Sequence, residues 1–285
     1  MQEERCSELK GINSFKEVRS IDELIGYLEI KGGNHRNYYH YTNKNGLNGI
    51  LRSRKLHISR GDQMNDKQEL TKGDLQTWQK VYLASFNYGD EENMAMWGLY
   101  GVPHEDAIRI TIPGTKIKEW ISSTDKVYRV ESSSPGSFEY HELEELDRIV
   151  LTDVVYASGK RNDGNNFKLR RSRDVLDVVR NGPLGKVSDN KNMTGYIKNV
   201  AWSYENEVRI RVETKRNTHC NMIAIDIPDE VINSFELLFG PGYEGRQEYF
   251  NDQLNVLKYE HSGFKGLVQY REKCWFCDHT YQKKI

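Results

Sequence analysis

Trp202-Ser203-Tyr204-Glu205-Asn206-Glu207-Val208-Arg209-Ile210-Arg211-Val212 carries the clearest period-two pattern in the chain. Trp202, Tyr204, Val208, Ile210 and Val212 share one parity, which only Asn206 interrupts. Ser203, Glu205, Glu207, Arg209 and Arg211 share the other. Side chains alternate between the faces of a strand, so this spacing predicts a β-strand with one apolar and one charged face. Glu205 and Glu207 then project from the same face, about 6–7 Å apart along the strand. Such a pair can divide labour, one carboxylate stabilising a developing positive charge while the other accepts a proton from an attacking group. A solvated face of Glu and Arg in cross-strand ion pairs gives the same spacing.

On the C-terminal side, the pattern predicts a strand at Met222–Ile227, a helix at Asp229–Phe235 and a strand at Glu236–Phe239. A helix from Gln247 and a last strand near Leu254–Glu260 follow. On the N-terminal side, Ile21–Ile30 reads as an amphipathic helix closed by Gly32-Gly33. Tyr38–Thr42 is strand-like, because aromatic and β-branched residues fit a pleated surface. Asn43 caps a helix whose Leu47, Ile50 and Leu51 fall at helical spacing. Strands are expected at Lys55–Ser59, Val81–Phe86 and Ile108–Ile112, and a helix over Glu92–Gly101. Residues 155–198 are the least regular, with one helix expected through Val175-Leu176 and Val178-Val179.

Short strands scattered among helices, without a β-α-β rhythm, indicate an α+β domain with mixed sheets. The expected organisation is an N-terminal helical leader (1–35), a main domain (36–260) with a basic irregular insertion (160–198), and a C-terminal tail (261–285). That tail holds Cys274-Trp275-Phe276-Cys277.

With 37% hydrophobic and 29% charged residues, the composition is that of a globular protein, and a net charge of −1 provides no global attraction to nucleic acid or anionic membrane. Seventeen Tyr and five Trp suit a core with a lined cleft. The first fifteen residues lack the apolar segment of a secretion signal, and no stretch approaches the roughly 20 apolar residues that span a bilayer. Four cysteines are too few and too unevenly placed for a disulfide scaffold. A cytoplasmic protein with no membrane partner is expected.

Several further residues are candidates for chemistry. His40 and Thr42 face the same side of their strand and could grip one ligand, although a buried His is commonly structural. Gly240-Pro241-Gly242-Tyr243-Glu244-Gly245 matches G-x-G-x-x-G, with Glu260 at the distance of a ribose-binding acid. The proline removes a backbone N–H, and too little chain follows for a doubly wound sheet, so a glycine turn explains it better. Cys274 and Cys277, with His279 and His261, have partial zinc spacing, against a plainer reading as reduced buried thiols. Lys160, Arg161, Lys168, Arg170, Arg171, Arg173 and Arg180 could meet phosphates, or belong to a solvated loop. Asp66 and Glu69, if set beside Glu205 and Glu207, would suit a metal-dependent nuclease.

In order along the chain, Tyr39-His40-Tyr41-Thr42, Met64-Asn65-Asp66 with Glu69, Ser85-Phe86, Met96-Trp97 to Tyr100, Lys198, Trp202–Ile210 and Phe239-Gly240 form one pattern. It resembles the bacterial family termed domain of unknown function 2971, over about residues 38–245. Lys67 stands where that family often has proline. The family in turn is similar to the ADP-ribosyltransferase superfamily, in which a first-strand His or Arg, a middle aromatic and a late-strand Glu meet in a cleft between two small split sheets with flanking helices. The resemblance implies that NAD+ is consumed as a substrate and that positive charge develops on the ribose as nicotinamide leaves. It assigns Glu207 to stabilising that charge, Glu205 to orienting or deprotonating the acceptor, His40 to the adenosine-side ribose and Thr42 or its backbone to the nicotinamide amide, with Tyr41, Ser85 and Phe86 also binding the cofactor. Tyr82, Phe86, Trp97 or Tyr100 would stack on nicotinamide, Tyr100 first. The acceptor would be a protein or a nucleic acid. A toxin or phage-defence role, with an antitoxin or chaperone as partner, would suit such an enzyme. The alternatives are the metal-dependent nuclease and a non-catalytic nucleic-acid or protein-binding module.

Overall fold

A computed structural model describes residues 18, 20–64, 75–134, 137–144, 146–159, 167–171, 174–177, 191–243 and 258–263. The protein is α+β, with mixed, largely antiparallel strand pairing and few helices. From the front come α1 (Ile21–Gly32), β1 (Asn37–Asn43), α2 (Lys44–Ser53), β2 (Lys55–Arg60), α3 (Leu75–Trp78) and β3 (Val81–Asn87). Next are α4 (Met94–Tyr100), β4 (Ala107–Pro113), α5 (Gly114–Ser123), β5 (Val127–Ser134), β6 (Ser137–Leu143), β7 (Leu146–Asp153) and β8 (Val155–Gly159). Then follow β9 (Phe167–Arg171), β10 (Asp174–Asp177), β11 (Ile197–Asn199), β12 (Glu207–Thr214), β13 (Met222–Asp226), α6 (Asp229–Ile232), β14 (Glu236–Phe239) and β15 (Lys258–His261).

These elements fall into two compact units, each assembled from separated segments. The first takes the chain up to Arg36, Leu56–Tyr88 and Lys118–Asp226. Its main strands run in the order β7-β12-β3-β2-β13-β5-β6. β12 is antiparallel to both neighbours, placing Glu207 opposite Asn87 and Val208 opposite Asp153. Val208, Ile210 and Val212 are fully buried, and Glu207, Arg209 and Arg211 of the charged parity are buried as well. A second sheet has the order β10-β9-β8-β11, with β11 parallel to β8.

Helix α1 forms because Ser20 Oγ accepts the Glu23 N–H at 3.1 Å while Asp22 and Glu23 complement the positive helix start. Leu24, Tyr27 and Leu28 pack with Val155, Met193 and Tyr196. At its end Gly32 lies directly against β7. A Cβ there would stand 2.4 Å from Thr152 Cα, so Gly32→Ala should destabilise the protein by about 1–3 kcal/mol, read as a lower urea midpoint.

The second unit comprises Asn37–Lys55, Gly89–Ile117 and the chain from Ile227 on. Its strands run β1-β4-β14-β15, antiparallel except for β14 with β15. Asn43 caps α2 as expected, its Oδ1 accepting the Gly46 N–H at 2.9 Å. α4 is capped by Asn93, and Trp97 meets the Tyr41 ring edge-on at 4.8 Å.

The structure departs from the expected elements at several places. Trp202–Val212 is not one strand. Asn199 accepts the Ala201 N–H and starts a 3-10 helix over Val200–Glu205, which Asn206 ends at φ 44°. Asparagine enters this left-handed region more readily than most residues, and local caps thus override the apparent alternation before Glu207. The expected helix around Val175 is replaced by β10, and strands β5 to β7 and helix α5 arise where no element was expected. The expected helix from Gln247 lies outside the described residues. None of the described helices is long and apolar enough to cross a membrane.

Candidate active site

Glu207 opens β12 directly after the Asn206 turn, so its position is set by that turn and by pairing with β3. Its carboxylate is the centre of a buried charge cluster. Oε1 accepts from Arg209 Nε at 2.7 Å and from the Ser85 hydroxyl, and Oε2 accepts from Arg209 Nη2 and from Lys198 Nζ, each at 3.1 Å. Lys198 Nζ also holds Glu205 Oε2 at 2.5 Å and lies 5.0 Å from the Trp202 ring centre. Glu205 and Glu207 therefore do converge, on one ammonium, though from a 3-10 turn and a strand start rather than from one strand face. Asn87 fixes the approach by donating to the Glu205 backbone carbonyl.

The second sheet contributes two of these groups. β11 places Lys198 opposite Tyr156 of β8, and the Tyr156 hydroxyl accepts the Glu207 N–H at 2.8 Å. Arg209 Nη1 donates to the Gly195 carbonyl at 3.0 Å. Beside them, Asp153 of β7 holds His35 Nε2 at 2.5 Å, and the His35 ring stacks on Tyr88 with centres 4.0 Å apart.

Electrostatics explain why four charges persist here. Glu205 and Glu207 are each 2% exposed, Lys198 5% and Arg209 0%, so two negative and two positive groups are dry and their formal charges cancel. Burial alone would push the Glu207 carboxyl up. The charges of Arg209 and Lys198, with hydrogen bonds from Arg209 and Ser85, outweigh it and hold the group at about 2. The Tyr156 hydroxyl is pushed well above its ordinary value, by burial first and then by the Glu207 charge. The site thus contains a permanent carboxylate, a second carboxylate tied to it through one ammonium, and a serine hydroxyl.

Of the other sequence candidates, Tyr82 and Phe86 lie in β3 of this unit as core residues, 0% and 3% exposed, and the Tyr82 hydroxyl donates to the Cys220 carbonyl at 2.9 Å. His40, Tyr41, Thr42, Trp97 and Tyr100 belong to the second unit. There His40 and Thr42 are partly exposed on β1 opposite Ile110 and Ile108, Tyr41 and Trp97 are buried, and Tyr100 keeps partial exposure. Gly240–Tyr243 forms a turn after β14, closed by the Tyr243 N–H on the Gly240 carbonyl at 3.0 Å. Asp66, Glu69, Lys160, Arg161, Arg173, Arg180, Cys274 and Cys277 lie outside the described residues, as do Glu244 and Gly245. Among the described residues, no three His, Cys, Asp or Glu side chains are grouped to hold a metal ion.

Sequence reasoning did not assign site roles to Lys198, Arg209, Asn87 and Tyr156. Arg209 meets Glu207 from two positions along the same strand, whereas Lys198 is brought onto both carboxylates by the pairing of β11 with β8. No protein-family model matches the chain, and no curated protein sequence matches it.

Proposed function

We propose that the chain is an NAD+-dependent ADP-ribosyltransferase in which Glu207 stabilises the positive charge developing on ribose. The supporting observation is a carboxylate kept ionised at about 2, beside a second carboxylate and the Ser85 hydroxyl. A fixed anion in a dry site opposes an oxocarbenium charge far more strongly than one in water. A ribose hydroxyl would take over one of the four hydrogen bonds now made to Glu207, and Glu205 would orient or deprotonate the acceptor. The roles of His40, Tyr41, Thr42 and Tyr100 rest on the family resemblance alone, as does the macromolecular acceptor, protein or nucleic acid, and any toxin or phage-defence role.

One observation favours a second reading. Both Glu207 oxygens are already satisfied and the residue is 2% exposed, as expected of a cluster that only holds two sheets together. Incubating the protein with labelled NAD+ and cell lysate, with and without EDTA, tests the proposal. Label transfer that survives EDTA is the expected result. EDTA-sensitive cleavage of nucleic acid without label transfer would replace it with a nuclease, and inactivity in both assays with a structural or binding role.

A further inference from the structure

The second unit contains a buried cation that has no counter-ion among the described residues. Arg109 lies in the middle of β4, opposite Tyr41 of β1 and Leu238 of β14, and is 8% exposed. Its Cζ stands 4.4 Å from the centre of the Tyr39 ring and 5.9 Å from that of Tyr41. Nε and Nη1 are both buried and have no hydrogen-bond partner among the described residues. A ring face answers the charge of a guanidinium, whereas the N–H donors lie in the guanidinium plane and need acceptors there. Each dry donor is a penalty that folded proteins seldom carry without a reason.

The polar groups around it are already engaged. The Tyr39 hydroxyl donates to Asp90 at 2.9 Å, and the Tyr41 hydroxyl accepts the Asn93 N–H at 3.4 Å. Arg109 makes no ion pair among the described residues, although Asp90 is one hydroxyl away. The two aromatic contacts hold the guanidinium in place. A guanidinium binds an oxyanion through Nε with one terminal nitrogen, or through its two terminal nitrogens. One orphaned atom belongs to each of these edges, so neither edge is fully paired.

We infer that Arg109 is the anchor of an oxyanion-binding site in the second unit, which takes a phosphate or carboxylate group of a small ligand. The two groups present the same paired acceptor oxygens to a guanidinium. Both orphaned nitrogens are closed to water in the resting fold, so a bound oxyanion exchanges a dry, unpaired cation for a paired one. The inference stands apart from the transferase reading, because it uses none of the Glu207 cluster.

The test is thermal melting and titration calorimetry of the full chain with inorganic phosphate and with acetate, each against chloride at matched ionic strength. A saturable rise in Tm with either anion is expected, and the anion that produces it identifies the ligand class. Arg109→Met should abolish the rise, and without ligand should melt no lower than the parent, because an unpaired buried charge has been removed. Arg109→Lys, which keeps the charge and loses both paired edges, should weaken binding at least tenfold, and decides the matter if the methionine variant does not fold. No saturable rise above chloride for either anion, or an undiminished rise in these variants, would overturn the assignment.

Discussion

Glu207→Gln should destabilise the first unit by about 3–5 kcal/mol and abolish label transfer from NAD+. Glutamine keeps the shape of the side chain but removes a charge. Lys198 and Arg209 would then face Glu205 alone, leaving one net positive charge in a region where all four groups are dry. Against a total stability of roughly 5–15 kcal/mol, that loss is readable as a large fall in Tm. Loss of activity in this variant would be ambiguous by itself, so a second substitution is needed. Lys198→Met in the same chain brings the formal charges of the cluster back to one negative, on Glu205, and one positive, on Arg209. The double variant should regain more than half of the lost Tm while label transfer stays absent. Transfer that returns together with the Tm would mean that Glu207 serves the fold and not the chemistry.

Acid should remove the same stabilisation without any substitution. The Glu207 carboxyl is held at about 2 against an ordinary 4.5, with burial opposing and Arg209 and Lys198 prevailing. A group whose folded value is depressed stabilises the fold above its unfolded value, and that contribution fades as pH falls toward the folded one. The window therefore runs from about 4.5 down to about 2, and a shift of this size corresponds to about 3 kcal/mol. Urea midpoints measured across that window should fall steeply in the parent protein. The Glu207→Gln, Lys198→Met double variant should show a shallower fall. Parallel curves would remove Glu207 as the origin of the acid sensitivity.

The elements legible in the sequence were those whose own residues determine them. Asn43 ahead of Leu47 and Ile50, and the largely apolar run of Val81–Phe86, appear in the structure where spacing puts them. The Glu207–Val212 alternation is also present, but both faces of the strand are covered, so the charged side is dry and not solvated. Trp202–Glu205 misled because its parity continues that of β12 while the Asn199 cap and Asn206 impose a tighter turn. β6 passed unnoticed since a mostly exposed strand such as Ser137–Leu143 shows no apolar periodicity. At the site, Glu205, Glu207 and Ser85 were selected from sequence. Lys198 and Tyr156 acquire their roles through the parallel pairing of β11 with β8, which no local pattern encodes.

The pairing of β3 with β12 has a consequence for synthesis. Asn87 faces Glu207, so one edge of a nearly all-buried strand waits for a partner 120 positions downstream. At about 5–20 residues per second, a ribosome takes about 6–24 s to deliver it. During that interval the nascent chain presents an apolar, unpaired backbone edge of the kind that recruits other chains. A transcript cut short before codon 207 would yield a product that never closes this edge, so prematurely stopped chains should accumulate as insoluble material.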